Sequence, residues 1–420
     1  MKKSCKRDLE KNSMIVLCLT TFGSAINYFC QIIMGKYFSI NNYGTVNTIF
    51  SLILILSVIG NTAFMLISKS LSKKKESNYK IYKYILRLVN ISILVVLMAS
   101  IVLYPVLNKI LENNPLLSIM TIICVVTSVY PILYQGVYAS IEDFLRLGLY
   151  TLIIPLVKLI GLASYCFMSI PESLELYTII IFIIFGNVLS ILIGKISSKK
   201  YYGTKKEKCL KFENIKYNYL NILITNSLLM FLMNIDILSL SYFFDSEIVG
   251  LYSSVLVFGK IVYYFVTAFV TVMLPMIAKN ESDKKYAQKM LFQTLFYTAV
   301  LTIIVLIPLN ILAKDILGLI FGNKYDSAVP YMFYSSLICL SYSLNVILVN
   351  YLVGTNRINF TKKLFIGGSF FLVLLLFLVN KNVYLLLATI ALANLIIFVI
   401  NLLKILKSTK EKSSNAKERN

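Results

Sequence analysis

The side chains best placed to do chemistry in this sequence are a few charged and amide groups inside long apolar runs, chiefly Lys158, Asp236 and Lys260. Histidine is absent, which removes the commonest general base and a frequent metal ligand. The seven cysteines are scattered without a CxxC pair, so they read as small hydrophobes rather than as a disulfide or zinc framework. No GxxxxGK[ST] phosphate loop occurs, and no paired carboxylates or Ser-His-Asp set appears. The available chemistry is therefore non-covalent: charges and hydrogen-bonding groups held at low dielectric. No catalytic residue, metal site or cofactor is expected, and the chain is not read as an enzyme.

Asp236 lies about 10 Å, and Lys260 about 15 Å, from the same end of two adjacent apolar runs, at about 1.5 Å per residue. An isolated charge in a bilayer costs several kcal/mol, so such groups pair with one another or face water. The two are expected to be coupled, either as a wall of a charged cavity or as an ion pair setting helix register. Ser253, Lys260, Tyr264, Thr267 and Thr271 follow helical spacing and share one face. Thr20, Ser24, Asn27 and Gln31 do the same in the first run, as do Asn47, Ser51 and Asn61 in the second and Asn221, Thr225, Asp236 and Ser239 in the seventh. Lys158 follows Pro155 by three residues, mid-run. Lys158, Lys260, Asp236, Asn27, Gln31, Asn61, Tyr264 and Thr267 are thus the candidate binding residues. Each Ser or Thr reads equally as interhelical hydrogen-bond glue, and Lys36, near a run's end, reads as a snorkelling side chain.

These residues must be positioned by helices that cross a membrane. Hydrophobic residues make up 58% of 420 and charged residues 14%, against about 45–50% and about 25% in soluble domains; mean hydropathy is +0.78. Apolar runs fall at about 14–38, 42–68, 86–108, 116–138, 148–170, 177–196, 217–243, 250–278, 290–313, 330–353, 364–380 and 383–403, each near the roughly 20 residues a spanning helix needs. The first run is too long for a signal-peptide core and no A-x-A site follows, so it reads as a retained helix. The fold class expected is all-α integral membrane.

The net charge of +22 is a topology signal rather than a nucleic-acid footprint. Of the 41 Lys and Arg, 34 fall in alternate loops and the termini, while Lys36, Lys109, Lys314, Lys324 and Lys381 lie on the other side. The positive-inside bias then places both termini in the cytoplasm. The chain divides into a cytoplasmic N-terminus (1–13), a first six-helix bundle (14–196), a basic linker (197–216), a second bundle (217–403) and a disordered basic tail (404–420). Phe38 and Gly44 recur at Phe244 and Gly250, an offset of 206. The same offset carries Asn47 onto Ser253 and Asn61 onto Thr267. Six spans per half make this a parallel repeat, with a hydrated cavity expected between the halves.

Three passages carry a resemblance. They are Tyr43-Gly44-Thr45-Val46-Asn47; Asp236 followed by Val249-Gly250-Leu251-Tyr252-Ser253 and ending at Leu274-Pro275; and Leu319-Ile320-Phe321-Gly322-Asn323-Lys324-Tyr325-Asp326-Ser327-Ala328. In order and spacing the chain resembles the polysaccharide-biosynthesis flippases of the multidrug/oligosaccharidyl-lipid/polysaccharide exporter superfamily. The resemblance implies two six-helix bundles around a central, often cationic cavity. It also implies alternating access that moves a polyprenyl-pyrophosphate oligosaccharide from the inner to the outer leaflet of a bacterial plasma membrane, coupled to H+ or Na+. Partners implied are the lipid bilayer, a polyprenyl-linked glycan, a polysaccharide polymerase and glycosyltransferases. Lys260, Lys158 and Lys36 are the cations available for a pyrophosphate; none is fixed as its ligand. The competing classes are a multidrug cation antiporter of the same superfamily, which would favour an acidic cavity, a membrane-embedded polymerase or glycosyltransferase, and a non-catalytic envelope scaffold.

Overall fold

A computed structural model describes residues 2–71, 78–141, 143–168, 170–198, 213–279, 284–355 and 359–417. Every regular element among them is helical. The helices are α1 (Lys2–Tyr37), α2 (Ile40–Leu56), α3 (Val58–Leu71), α4 (Asn78–Val102), α5 (Tyr104–Ile110), α6 (Pro115–Ser140), α7 (Phe144–Met168), α8 (Glu175–Ser198), α9 (Glu213–Phe243), α10 (Ser246–Lys279), α11 (Lys284–Ile311), α12 (Ala313–Phe321), α13 (Val329–Gly354), α14 (Asn359–Leu378) and α15 (Val383–Lys417). Ten segments among the described residues are long and apolar enough to cross a membrane, with α2 and α3 acting as one. With α1 and α14 they complete the twelve expected spans. The long apolar sequences choose helix because a helix satisfies its own backbone in lipid.

Several boundaries differ from those expected, each for a local reason. The second span breaks at Ser57, whose Oγ donates to the Leu54 carbonyl at 2.7 Å, a bond that competes with the helix ladder. The third span begins at Asn78 and ends at Val102, because Pro105 opens the short separate helix α5 and cannot donate to a preceding turn. The tail expected to be disordered is helical as far as Lys417; buried Ile405 continues the apolar stripe of α15 past Lys404. Most of the basic linker, 199–212, lies outside the described residues.

The chain divides into two compact units, Met1–Ser227 and Leu228–Asn420, with the division inside α9. In the first unit α3 packs along α6, α6 and α7 along α8, and α1 along α7. A second face of α4, formed by Ile81, Ile85, Val89 and Ile93, joins a core with Ile67, Val129 and Leu133. In the second unit α10 packs along α13, α13 and α14 along α15, and α10 against α11. Counted by span, the pairings second-to-fourth, fourth-to-sixth, second-to-third and fifth-to-sixth recur in both units. The inferred repeat is visible at single-residue resolution. The first unit bends at Phe38 and Ser39 before α2 starts at Ile40, and the second at Phe244 and Asp245 before α10 starts at Ser246; each pair is 206 apart.

Close approach of helices depends on particular glycines. A Cβ on Gly23 would lie 3.2 Å from Leu152 Cδ2, and one on Gly148 would lie 2.5 Å from Leu19 Cδ1. These contacts set α1 and α7 side by side in the same direction, as expected for the first and fifth spans. In the second unit, a Cβ on Gly259 would meet Cys339 Sγ at 2.7 Å and Ser335 Oγ at 2.9 Å, so α10 and α13 are in near backbone contact there.

Candidate functional site

Lys158 is a buried cation in the first unit. It sits near the middle of α7 and is only 6% exposed. Its Nζ lies 4.2 Å from the centroid of the Phe50 ring on α2, and Cys30 on α1 is the titratable group within electrostatic reach. The glycine contacts at Gly23 and Gly148 bring α1 close enough for this. No carboxylate forms an ion pair with Lys158 among the described residues, where the ion pair present is Arg146–Asp143 at 3.3 Å. A cation–π contact contributes about 1–2 kcal/mol when desolvated, whereas a lysine at mid-bilayer costs about 3 kcal/mol on insertion scales. The ring offsets part of that cost.

In the second unit the two charges singled out in the sequence sit on α9 and α10. Asp236 on α9 is 1% exposed. Its Oδ2 accepts from the Tyr252 hydroxyl at 2.6 Å, and its Oδ1 accepts from the Ile237 backbone N–H at 2.8 Å. Lys260, half-buried on α10, forms no ion pair with it among the described residues, although Asp236 and Cys339 are the titratable groups that influence it electrostatically. Tyr252 is on α10 two turns before Lys260, at the point where the bend at Phe244 and Asp245 turns the chain back on itself. The phenol therefore reaches the carboxylate first. Asp236 and Lys260 act on one another electrostatically, and the direct hydrogen bond to the carboxylate comes from the Tyr252 phenol across the α9–α10 hairpin.

The remaining candidates are dispersed. Asn27 is exposed on α1, and Gln31 is partly buried there with Oε1 buried and unpaired. Asn61 is partly buried on α3, beyond the break at Ser57. Tyr264 and Thr267 belong to α10, but their side chains fall outside the described set. Lys36 is exposed at the end of α1. Ser253 is buried with its hydroxyl unpaired, so the stripe on α10 is not uniformly glue.

Sequence reasoning missed a polar cluster at one end of the first unit. Glu175, 1% exposed at the start of α8, accepts from the Tyr165 hydroxyl and from Asn42 Nδ2 at 2.8 Å. Glu112 accepts from Thr45 Oγ1 at 3.0 Å, and Asn114 Nδ2 donates to Tyr177 at 2.7 Å. Acidic residues at span ends look like ordinary loop charges in a sequence, so nothing marked Glu175 as buried. The quoted motifs also acquire structural roles. Gly322 has φ of 91°, which favours glycine, and it turns α12 so that Phe321 stacks edge-on against Phe258 of α10.

Two helical units with recurring span pairings, built of helices long and apolar enough to cross a membrane, define a multi-pass α-helical membrane fold. Comparison with solved structures agrees. The chain is similar to a lipid II flippase MurJ in its inward closed conformation (TM-score 0.68, 15% identity, covering 94% of this chain and 87% of that one). It is also similar to an inward-facing multidrug resistance MATE family transporter of the MOP superfamily (TM-score 0.66, 11% identity, 94% and 99%). A third is a MOP superfamily transporter from Pyrococcus furiosus described as having a binding pocket of reverse polarity (TM-score 0.63, 11% identity, 94% and 93%). At these identities the likeness is one of fold. The family model described as polysaccharide biosynthesis protein matches residues 174–330, a stretch holding the second and third of the three motifs. The resemblance to a polysaccharide-biosynthesis family is borne out over that stretch. No curated relative matches the sequence.

Proposed function

We propose that the chain is a flippase that moves a polyprenyl-pyrophosphate-linked oligosaccharide from the inner to the outer leaflet of a bacterial plasma membrane. Alternating access drives the movement, coupled to an H+ or Na+ gradient. The observation that carries this reading is Lys158, a cation held inside the first unit without a carboxylate partner among the described residues. Such a group favours an anionic headgroup over a cationic drug. The family match over residues 174–330 and the fold shared with a lipid II flippase support it. Amides such as Gln31 and Asn61 supply partners of the kind that sugar hydroxyls need. On this reading the chain does no bond chemistry of its own; a polymerase and glycosyltransferases would act before and after it.

Deleting the gene is expected to abolish the surface glycan and to make its lipid-linked precursor accumulate on the inner side. Normal surface glycan in a deletion strain without a paralogue would rule the reading out. A multidrug cation antiporter is the competing reading, and buried Asp236 is the observation that favours it. Drug hypersensitivity with normal glycan in the same strain would select it.

The reading requires cytoplasmic termini, the orientation set by the Lys and Arg bias. Reporter fusions after residue 205 and after residue 320 are expected to report opposite sides of the membrane. Agreement between the two reporters would overturn the topology.

A further inference from the structure

Helix α2 carries the ring that covers Lys158, and it is fastened unevenly to the rest of the first unit. The Phe50 ring centroid lies 4.2 Å from Lys158 Nζ. At about 100° per residue, Leu52 falls on the opposite side of α2 from Phe50. That side faces a cavity of about 230 Å3, lined by Leu52 and Leu56 of α2, Ala99 of α4, Leu103 at the α4–α5 joint, Leu107 of α5 and Val125 of α6. Protein interiors have few voids larger than a water molecule, so a gap of this size leaves α2 unsupported there. The N-terminal end of α2 is pinned: Asn42 Nδ2 donates to Glu175 Oε2 at 2.8 Å, and Thr45 Oγ1 donates to Glu112 Oε1 at 3.0 Å. Its other end stops at Ser57, whose Oγ takes the Leu54 carbonyl at 2.7 Å, the acceptor that a continuous helix would offer to the Val58 N–H. The repeat supplies an internal control. Tyr263 is the counterpart of Ser57 at the offset of 206, and α10 runs unbroken through it from Ser246 to Lys279. The break in the second span is therefore not a requirement of the fold.

We propose that α2 is a lid on Lys158: Phe50 holds it shut, and it swings about its pinned end into the cavity to uncover the ammonium for an anionic ligand. The face of an aromatic ring carries the negative part of its quadrupole, so Phe50 stands where an anion would and holds the cation in its absence. The break at Ser57 lets α2 move while α3 stays packed along α6. Phe50 acts through Lys158 rather than on the ligand, which makes it a positioning residue. The lid regulates the site assigned to Lys158 above, and it rests on the flippase reading for the identity of the ligand.

The test measures binding of inorganic pyrophosphate, by calorimetry, to the full chain in phosphatidylcholine nanodiscs. Phe50→Leu removes the competing ring and is expected to bind about tenfold more tightly, the factor that a desolvated cation–π contact represents. Phe50→Tyr keeps a ring and is expected to bind as the parent does. Adding Lys158→Gln to Phe50→Leu is expected to abolish the gain. A ring that merely packs gives unchanged or weaker binding in Phe50→Leu, and that result overturns the lid, as does a gain that survives Lys158→Gln or an absence of binding in both parent and Phe50→Leu. Ala99→Leu tests the swing from the other side. It fills the cavity without touching a partner of Lys158, and by depopulating the open lid it is expected to bind about tenfold more weakly, with a melting temperature at or above the parent's. Parent-like or tighter binding by Ala99→Leu overturns the swing; a hydrocarbon chain resident in the cavity would give that result. Should Phe50→Leu melt early, Ala99→Leu alone decides. Translocation of lipid-linked glycan in proteoliposomes is scored in parallel. Translocation with parent-like binding by Phe50→Leu sinks the lid alone, whereas the Lys158-dependent gain without translocation sinks the flippase reading alone.

Discussion

Replacing Lys158 by glutamine is expected to cut export of the lipid-linked glycan about 100-fold while leaving the protein folded and inserted. The loss corresponds to roughly 2.7 kcal/mol, since each 1.36 kcal/mol is a factor of ten, and a charge-assisted contact to phosphate in a low-dielectric site reaches that size. The folded state should tolerate the change because this ammonium sits over a ring, Phe50 at 4.2 Å, and no carboxylate among the described residues pairs with it and would be orphaned. Lys158→Met goes further. It removes a buried charge while keeping the apolar stem, and replacing buried charges with apolar groups is often neutral or stabilising. A raised melting temperature together with lost export is the expected signature of a cation kept for its ligand. Lys158→Arg should retain part of the activity, as charge is preserved but the planar fork is larger. The measurement is surface glycan by immunoblot against accumulated precursor, with melting of purified protein alongside. If Lys158→Met exports normally, Lys158 is a packing residue and the assignment must be dropped.

Gly136→Leu is expected to destabilise the first unit by on the order of 3 kcal/mol, the upper part of the range for overpacking, and to remove most folded protein from the membrane. A Cβ at this position would lie 2.9 Å from Phe64 Cα and 3.1 Å from the Phe64 carbonyl oxygen. Those are backbone atoms, so no rotamer change can make room and α3 must move off α6. Gly60, facing the same seam, would meet the Val129 carbonyl oxygen at 2.8 Å. Close approach through small residues is how membrane helices gain packing where lipid gives no hydrophobic drive. Gly367 provides the contrast: a Cβ there meets nothing within 4 Å, so Gly367→Ala should be neutral or stabilise α14 by up to about 1 kcal/mol. Detergent-solubilised yield and melting by size-exclusion fluorescence would check both. Wild-type stability in Gly136→Leu would mean that the α3–α6 seam is looser than its geometry.

Much of this architecture was legible in one dimension. Hydropathy over a window of about 20 residues marks a span because the bilayer core has a fixed thickness, and the twelve spans follow from that alone. The repeat was legible because Phe38 and Phe244 precede helix starts that share one loop geometry, and a bend of that kind is a local property of a few residues. Span ends were less legible. Ser57 acts through a single side-chain hydrogen bond, Pro105 through a donor it lacks, and α15 runs on past Lys404 to Lys417.

The candidate site was legible only as a set of residue types. Composition and spacing identified Lys158, Asp236 and Lys260 as charges inside apolar spans, because such charges are costly wherever the helices pack. Partner choice was not contained in those patterns. Depth along the helix matched Asp236 with Lys260, yet Tyr252 takes the carboxylate, since a bond of 2.6 Å depends on helix rotation and side-chain length as well as depth. Phe50 over Lys158 and the burial of Glu175 beneath Tyr165 and Asn42 follow in the same way from contacts between residues distant in the chain. The sequence by itself determined a membrane protein of two six-span halves with Lys158, Asp236 and Lys260 inside its spans. Only the tertiary structure decided which partners those charges take, Phe50 for Lys158 and Tyr252 for Asp236, because pairing falls off over a few ångströms and that scale is set by how closely the helices pack.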